Sequence, residues 1–555
     1  MSRFWRFSPG SLPVALRDAS ESPRGLAHPA VAVAVLVLAA LALRLLYWSQ
    51  LSDNPWFLYT INDERIYDRI AKHLVAGEPG WKESFYQPPG YALFLSALFA
   101  ATGRDLALVR LAQLMLGVVN VVLLYFVGRR VFGPAVAFVA ALLFAAYAPM
   151  FFFEGMLLPP VLVVFLNLAF SLALLRCVER ARWWRGLATG LLLGASAATV
   201  SISLPFAAVV AALGGREVVR TSVDWASGRR ALLSIGAAFS LGLGVVVGAC
   251  TLHNWLVGDG FVVISDNLGI NLYLGTGVDF ERKVAMRPGK EWAQLNMAPV
   301  RAGRGDDRSG YFVERSWQII RSDPAGYAES LVRKVFLFAH GHELRRNQEL
   351  YPFRQYSSLL SGLLWKTGVA WPYGILFPFA VLGMIHSLKE RSFGTTMLLL
   401  FCVSHLLLLL PFFMAARYRM NIVPFLLLFS VYGAGVGVRS LRRRDWRTTG
   451  GCVLMLAVFL TLSNWKVGEM AVYPDHHQYR SLAKDIRYEG RHDEAEALLA
   501  AAKRVEPVPD PGAAIPTRTS TLLVGAGILA LFGYRKLTAR PELGVEISEP
   551  QDRSP

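Results

Sequence analysis

Apolar residues in this sequence arrive in long runs, and polar residues collect between them. The runs lie near 29–48, 106–127, 134–152, 157–175, 186–200, 203–214, 231–252, 369–388, 394–413, 421–438, 448–463 and 519–534. A helix crossing the hydrocarbon needs about 20 mainly apolar residues. The runs at 186–200 and 203–214 are short and predict a hairpin that only just spans. The run at 91–101 reads either as a further partial span or as the end of a loop helix. The pattern predicts an all-α polytopic membrane protein with about 11–13 transmembrane helices and amphipathic loop helices.

Three polar segments are too long to be simple turns: 49–90, about 253–358, and 464–518. The second predicts an amphipathic helix from about Ser309 to Phe338, of the kind that lies along a membrane surface. In the third, Leu482, Ile486, Gly490, Ala495, Leu498, Ala502 and Pro507 follow the spacing of one tetratricopeptide hairpin over 479–507. A lone repeat cannot bury both faces, so it either packs on the membrane domain or is degenerate. The expected organisation is a membrane domain over 1–463, a segment 464–518 carrying the hairpin, a last span at 519–534 and a tail at 535–555.

Composition agrees with lipid as solvent. Hydrophobic residues make up 54% of the 555 residues and charged ones 17%, whereas soluble domains run nearer a quarter charged. The net charge of +17 falls in short clusters after apolar runs: Arg129-Arg130, Arg176 to Arg185, Arg216 to Arg230, Lys389 to Arg391, Arg439 to Arg447, Arg535-Lys536. Counting spans from a cytoplasmic N-terminus places every cluster inside, as the positive-inside rule requires. The three polar segments then fall outside. No aromatic-basic platform or finger motif accompanies the charge, which speaks against nucleic-acid binding. The first run is too long for a signal-peptide core and predicts a retained anchor. Cys177, Cys250, Cys402 and Cys452 sit in or beside apolar runs without metal or redox spacing and read as small core residues.

Candidate chemistry lies in the polar segments. Asp63-Glu64 are adjacent carboxylates following the first span. They suit either a helix start, with Asn62 or Asp63 as cap, or a reactive pair. Phe85-Tyr86-Gln87-Pro88-Pro89-Gly90 forms a rigid aromatic-proline turn into the next apolar stretch. Glu154, set among Phe151, Phe152 and Phe153, is expensive near lipid and predicts a site rather than a lone interfacial acid. Arg417 and Arg419 stand at the mouth of a span and suit phosphate oxygens or membrane-edge anchoring. His340-Gly341-His342-Glu343 is a poor metal motif, since imidazoles at i and i+2 do not face each other on a helix.

Asp63-Glu64 with Tyr67 and Ala71, Gln87-Pro88-Pro89-Gly90, and Leu108-Val109-Arg110-Leu111 resemble the start of GT-C class membrane glycosyltransferases. So do His253-Asn254-Trp255-Leu256 through Asn271-Leu272-Tyr273-Leu274-Gly275, and Arg417-Tyr418-Arg419 with Pro424. The branch is that of protein O-mannosyltransferases and aminoarabinose transferases, and the resemblance spreads over about 29–440. It implies a GT-C fold and transfer of a sugar from a polyprenyl-phosphate donor to a glycan, lipid or protein acceptor. The active site would face the exterior of a bacterial inner membrane. Asp63 would be the general base with Glu64 as helper, Glu154 the second acidic position, and Arg417 or Arg419 the phosphate ligand. Tyr67, Tyr86, Gln87 and Glu343, the last with Asn347 and Tyr351, would line the substrates. The resemblance implies no certain cofactor and leaves a divalent metal open. It departs at Gln87, where many aminoarabinose-transferring relatives have Lys. A transporter or flippase of lipid-linked sugars, and a ligase dependent on the second polar segment, are the alternatives.

Overall fold

The computed structural model describes residues 28–54, 56–222, 224–258, 261–286, 290–344, 346, 350–365, 368–390, 392–465, 476–488 and 490–504. Their regular structure is helical throughout; the one β-bridge joins Trp365 to Trp371. Among the described residues, seven helices are long and apolar enough to cross a membrane: Pro29–Leu51, Leu106–Val131, Pro160–Glu179, Ser201–Thr221, Trp225–Val257, Val423–Arg442 and Trp446–Asn464. Shorter apolar helices, Gly90–Thr102 and Phe393–Leu409, pack among them, as do Trp183–Thr199 and Tyr373–Glu390. The larger sequence-based figure counts every apolar run, whereas this one requires length and composition together. The run at 519–534 lies outside the described residues.

The run expected at 134–152 is not a single rod. It forms Pro134–Ala145 and Ala148–Gly155, bent by 54° at the break. Pro149 stands in the first turn of the second piece, where its missing N–H does least harm. The bend changes the setting of Glu154. It stands near the end of a buried helix.

Helices Tyr373–Glu390 and Val423–Arg442 cross where neither has a side chain to spare. A Cβ on Gly383 would fall on the Phe429 carbonyl oxygen, and one on Gly433 on that of Phe379. Close backbone approach of this kind is how helices associate where lipid removes the hydrophobic drive.

The amphipathic stretch divides into Arg308–Ser322 and Pro324–Ala339. Asp323 closes one helix and caps the next, its carboxylate accepting from Gly326 N–H at 2.8 Å, while Pro324 takes the first helical position. The tetratricopeptide-like spacing is realised as two helices, His476–Tyr488 and His492–Arg504, joined through Gly490 at φ +82°. Leu482, Ile486, Ala495, Leu498 and Ala502 are buried in the pair. Tyr479 carries it onto the rest of the molecule, its ring 4.9 Å from Trp56.

The three polar segments meet on one face. Trp56 touches Phe353 and Tyr479, and Phe85 stacks on His253.

Candidate active site

The helix Asp63–Val75 begins at Asn62, whose backbone lies at φ +51°, ψ −121°. A non-glycine residue held there costs about 1–3 kcal/mol and persists only where its surroundings fix it. Several contacts do so. Arg110 donates to the carbonyls of Phe57 at 3.0 Å and Tyr59 at 3.0 Å. The Glu64 carboxylate accepts from Ile61 N–H at 3.1 Å and Leu157 N–H at 2.7 Å, with Arg110 at 3.5 Å. Further along the helix, Asp68 is gripped by Arg104 and Lys72.

The two adjacent carboxylates therefore face different ways. Glu64 is fully buried and turned into the protein. Burial raises its pKa above the ordinary carboxylate value, and Arg110 and the two backbone N–H groups partly offset that. Asp63 lines an open cleft with Phe153, Leu158, Leu344, Arg346, Ala415 and Arg417. Its Oδ2 accepts from Arg417 Nη1 at 2.5 Å, and Arg417 Nη2 donates to the Tyr418 hydroxyl at 3.0 Å. Arg346, which the sequence did not single out, brings a second guanidinium to the same cleft. It is seated by the Val284 carbonyl at 2.6 Å and lies against the rings of Phe413 and Trp292.

One wall of the cleft is the exit from the bent helix pair, and buried polar groups fix it. Gln113 donates to the carbonyls of Glu154 at 3.0 Å and Met156 at 2.9 Å, and accepts from the Tyr91 hydroxyl at 2.6 Å. Arg110 also holds the Gly155 carbonyl. Glu154 itself does not reach the cleft. It is fully buried and pairs with Arg44 at 2.8 Å, and Arg44 also holds the Ala145 carbonyl at 3.3 Å. A Cβ on Gly117 would overlap the Glu154 carboxylate. The pair is packed shut.

The other wall joins Leu344 to Ala416, whose N–H donates to the Leu344 carbonyl at 2.7 Å. Arg419 braces this wall from behind. It pairs with Glu343 at 2.9 Å, donates to the His340 and His342 carbonyls at 2.7 and 2.6 Å, and lies 4.1 Å from the Tyr373 ring centre. Both members of the pair are 1% exposed, so neither presents a charge to the cleft. Burial raises Glu343 above the usual carboxylate range, with Arg419 opposing. Tyr351 hydroxyl accepts from Glu343 N–H at 3.0 Å; Asn347 lies outside the described residues.

Tyr67 is buried against Tyr91, 4.9 Å between ring centres, and its phenol is pushed up by burial and then by the Asp63 carboxylate. The Tyr86 phenol is pushed up to about 12 by burial and then by Asp63. Gln87 is half-buried, and its Oε1 finds no partner among the described residues. The turn that carries them is pinned by Asn254, which accepts from Phe85 N–H at 2.8 Å and donates to the carbonyls of Val262 and Ile264. His340 and His342 do meet, 4.6 Å between rings, because the chain leaves its helix at Ala339. The expectation that they point apart assumed a helix that is not there. Among the described residues no three His, Cys, Asp or Glu side chains are grouped to hold a metal ion.

Sequence reasoning missed Arg44, Arg110 and Gln113 as structural groups and Arg346 as a cleft residue. Arg44 and Arg110 carried a readable signal, since an arginine inside an apolar run must be paired.

Fold and site together define a polytopic helical membrane protein with a carboxylate–guanidinium cleft at the face where its polar segments meet. Residues 86–240 match the family model described as dolichyl-phosphate-mannose-protein mannosyltransferase. No curated protein matches the sequence. Among solved structures, the chain is similar to the Archaeoglobus fulgidus oligosaccharyltransferase in its apo form, at 16% identity and a TM-score of 0.47. The alignment covers 87% of this chain and 60% of that one. The same enzyme, named AglB, in complex with an inhibitory peptide and a dolichol-phosphate gives 16% identity, a TM-score of 0.46 and the same coverages. ArnT from Cupriavidus metallidurans bound to undecaprenyl phosphate gives 13% identity and a TM-score of 0.43, covering 91% of this chain and 77% of that one. The chain spans about three fifths of the oligosaccharyltransferase's length.

Proposed function

We propose that this protein is a GT-C glycosyltransferase that moves a sugar from a polyprenyl-phosphate donor to an acceptor hydroxyl on the outer face of a bacterial inner membrane. The observation that carries the reading is the Asp63–Arg417 pair, open to a cleft that a second arginine, Arg346, also lines. The mannosyltransferase family match over 86–240 supports it.

A hydroxyl is a poor nucleophile until its proton is drawn off as the new bond forms. Asp63 takes that proton while the acceptor oxygen attacks the anomeric carbon and the bond to the carrier phosphate breaks, with inversion. The departing phosphate gains charge as the bond breaks, and positioned cations lower the barrier by meeting it. Arg417 and Arg346 supply two fixed guanidiniums there. In the resting cleft Arg417 occupies Asp63 Oδ2. Donor phosphate drawing Arg417 toward itself frees the carboxylate at the moment it is needed. In this reading Tyr67, Tyr86 and Gln87, which are not among the cleft's lining residues, are assigned to the acceptor by the family resemblance alone.

A transporter reading needs a charged path through the spans. Among the described residues, the buried arginines of two spans are tied down instead: Arg44 pairs with Glu154, and Arg110 is held by Glu64 and by loop carbonyls.

The test incubates purified protein with labelled polyprenyl-phosphate sugars and follows acceptor-dependent release of the carrier phosphate. Asp63→Asn is expected to lose at least about 100-fold in rate, the usual scale for a general base, while still inserting in the membrane. Full activity in that variant removes Asp63 from the chemistry. Movement of lipid-linked sugar in vesicles without turnover overturns the enzyme reading.

A further inference from the structure

The tetratricopeptide-like hairpin stands outside the segment that carries the family resemblance, yet it closes on the stretch that leads into Asp63. The Tyr479 ring packs edge-on against Trp56 at 4.9 Å. Its hydroxyl accepts from Gln355 Nε2 at 2.9 Å and meets the Tyr356 hydroxyl at 2.9 Å. Phe353 and Tyr356 complete the ring of aromatics around Trp56, at 5.6 and 6.2 Å, and both Trp56 and Tyr479 are buried. At the other end of the hairpin turn, Arg491 lies over the Tyr59 ring at 5.6 Å and donates to its hydroxyl. Glu494 holds Arg491 in place.

Trp56–Tyr59 is thus gripped from two sides. Arg110 takes its carbonyls from beneath, and the hairpin takes its side chains from above. Three residues further on stands Asn62 at φ +51°, ψ −121°, and then Asp63. A strained residue holds its conformation only while both flanks are fixed. The buried Glu64–Arg110 pair fixes one flank; the Arg110 bonds to the Phe57 and Tyr59 carbonyls and the hairpin's grip on Trp56 and Tyr59 together fix the other.

We propose that the hairpin His476–Arg504 is a clasp that keeps Asn62 strained and Asp63 aimed into the cleft, with Tyr479 and Arg491 as positioning residues. Its catalytic consequence rests on the glycosyl-transfer reading; its structural consequence does not. The clasp gives a segment that follows the span Trp446–Asn464 control over the reactive carboxylate without touching substrate.

Hydrogen exchange and turnover, read on the full chain in detergent, test it together. In Tyr479→Ala and Arg491→Ala, backbone amides of 56–64 are expected to exchange about tenfold faster, as local opening becomes easier. Amides of the membrane helices should keep their wild-type protection, which shows that the variants fold. With a labelled polyprenyl-phosphate sugar, kcat should fall about tenfold at unchanged donor KM, because positioning and not binding is lost. Adding Asn62→Gly to Tyr479→Ala should recover part of kcat, since glycine adopts positive φ without strain. Unchanged exchange at 56–64 in both variants overturns the clasp. Faster exchange with wild-type kcat overturns the positioning role. Faster exchange in a protein that transfers no sugar from any donor supports the clasp and defeats the glycosyl-transfer reading instead.

Discussion

At Asp63 and Glu64, one peptide bond separates two carboxylates with opposite fates. Glu64 closes a buried set with Arg110, Ile61 N–H and Leu157 N–H, and Asp63 opens to the cleft with Arg417. Removing one partner of a buried ion pair costs about 3–5 kcal/mol, because the other charge stays buried. Glu64→Ala should therefore lower the unfolding midpoint by several degrees in a detergent melt, whereas Asp63→Asn leaves it nearly unchanged. Arg417→Lys keeps the charge but loses the two-pronged donor geometry; a donor KM raised about tenfold is expected, read from the concentration dependence of turnover. The sequence offered both carboxylates and both arginines of Arg417-Tyr418-Arg419 as candidates. Their division into cleft and brace was not legible, because it depends on which face of a short helix and of a four-residue turn the rest of the molecule covers. Arg346 was equally silent: it reaches the cleft by lying across Trp292 and Phe413, residues distant in the chain.

Among the elements, apolar runs were the most legible, since lipid demands continuous apolar length and internally satisfied backbone. The breaks were less so. Pro149 and Pro324 each stood in plain view, yet a proline in a first turn and a proline inside a helix look alike until the flanking residues are placed. Close crossings are also tertiary facts. Gly383→Ala would press a methyl into the Phe429 carbonyl, and overpacking of this kind costs about 1–3 kcal/mol, readable as a lower melting temperature. Helix Pro324–Ala339 buries Lys334, which donates to the carbonyls of Gly275 at 2.5 Å and Leu410 at 2.9 Å. Burial, and then Lys283, lowers it from its ordinary 10.5 to about 7. The unfolded chain then holds the extra proton between about pH 7 and 10.5, so stability rises with pH across that window and levels off above it. A melting temperature that climbs from pH 7 to 9 in wild type, and less steeply in Lys334→Met, is the expected outcome.

For the whole molecule, the sequence by itself determined a helical membrane protein, the segments that carry its polar residues, and the pairing of two amphipathic helices into a hairpin near the C-terminus. Each follows from periodicity and from solvent: apolar length where lipid surrounds the chain, helical spacing where one face is buried. Only the tertiary structure decided that Glu154 closes on Arg44 inside the bundle, that Arg346 joins Asp63 and Arg417, and that the hairpin sits on Trp56 and Tyr59. Those are contacts across more than a hundred residues of chain for Glu154 and several hundred for the hairpin. Local propensity carries no information about such partners; packing and the cost of leaving a buried charge unpaired select them.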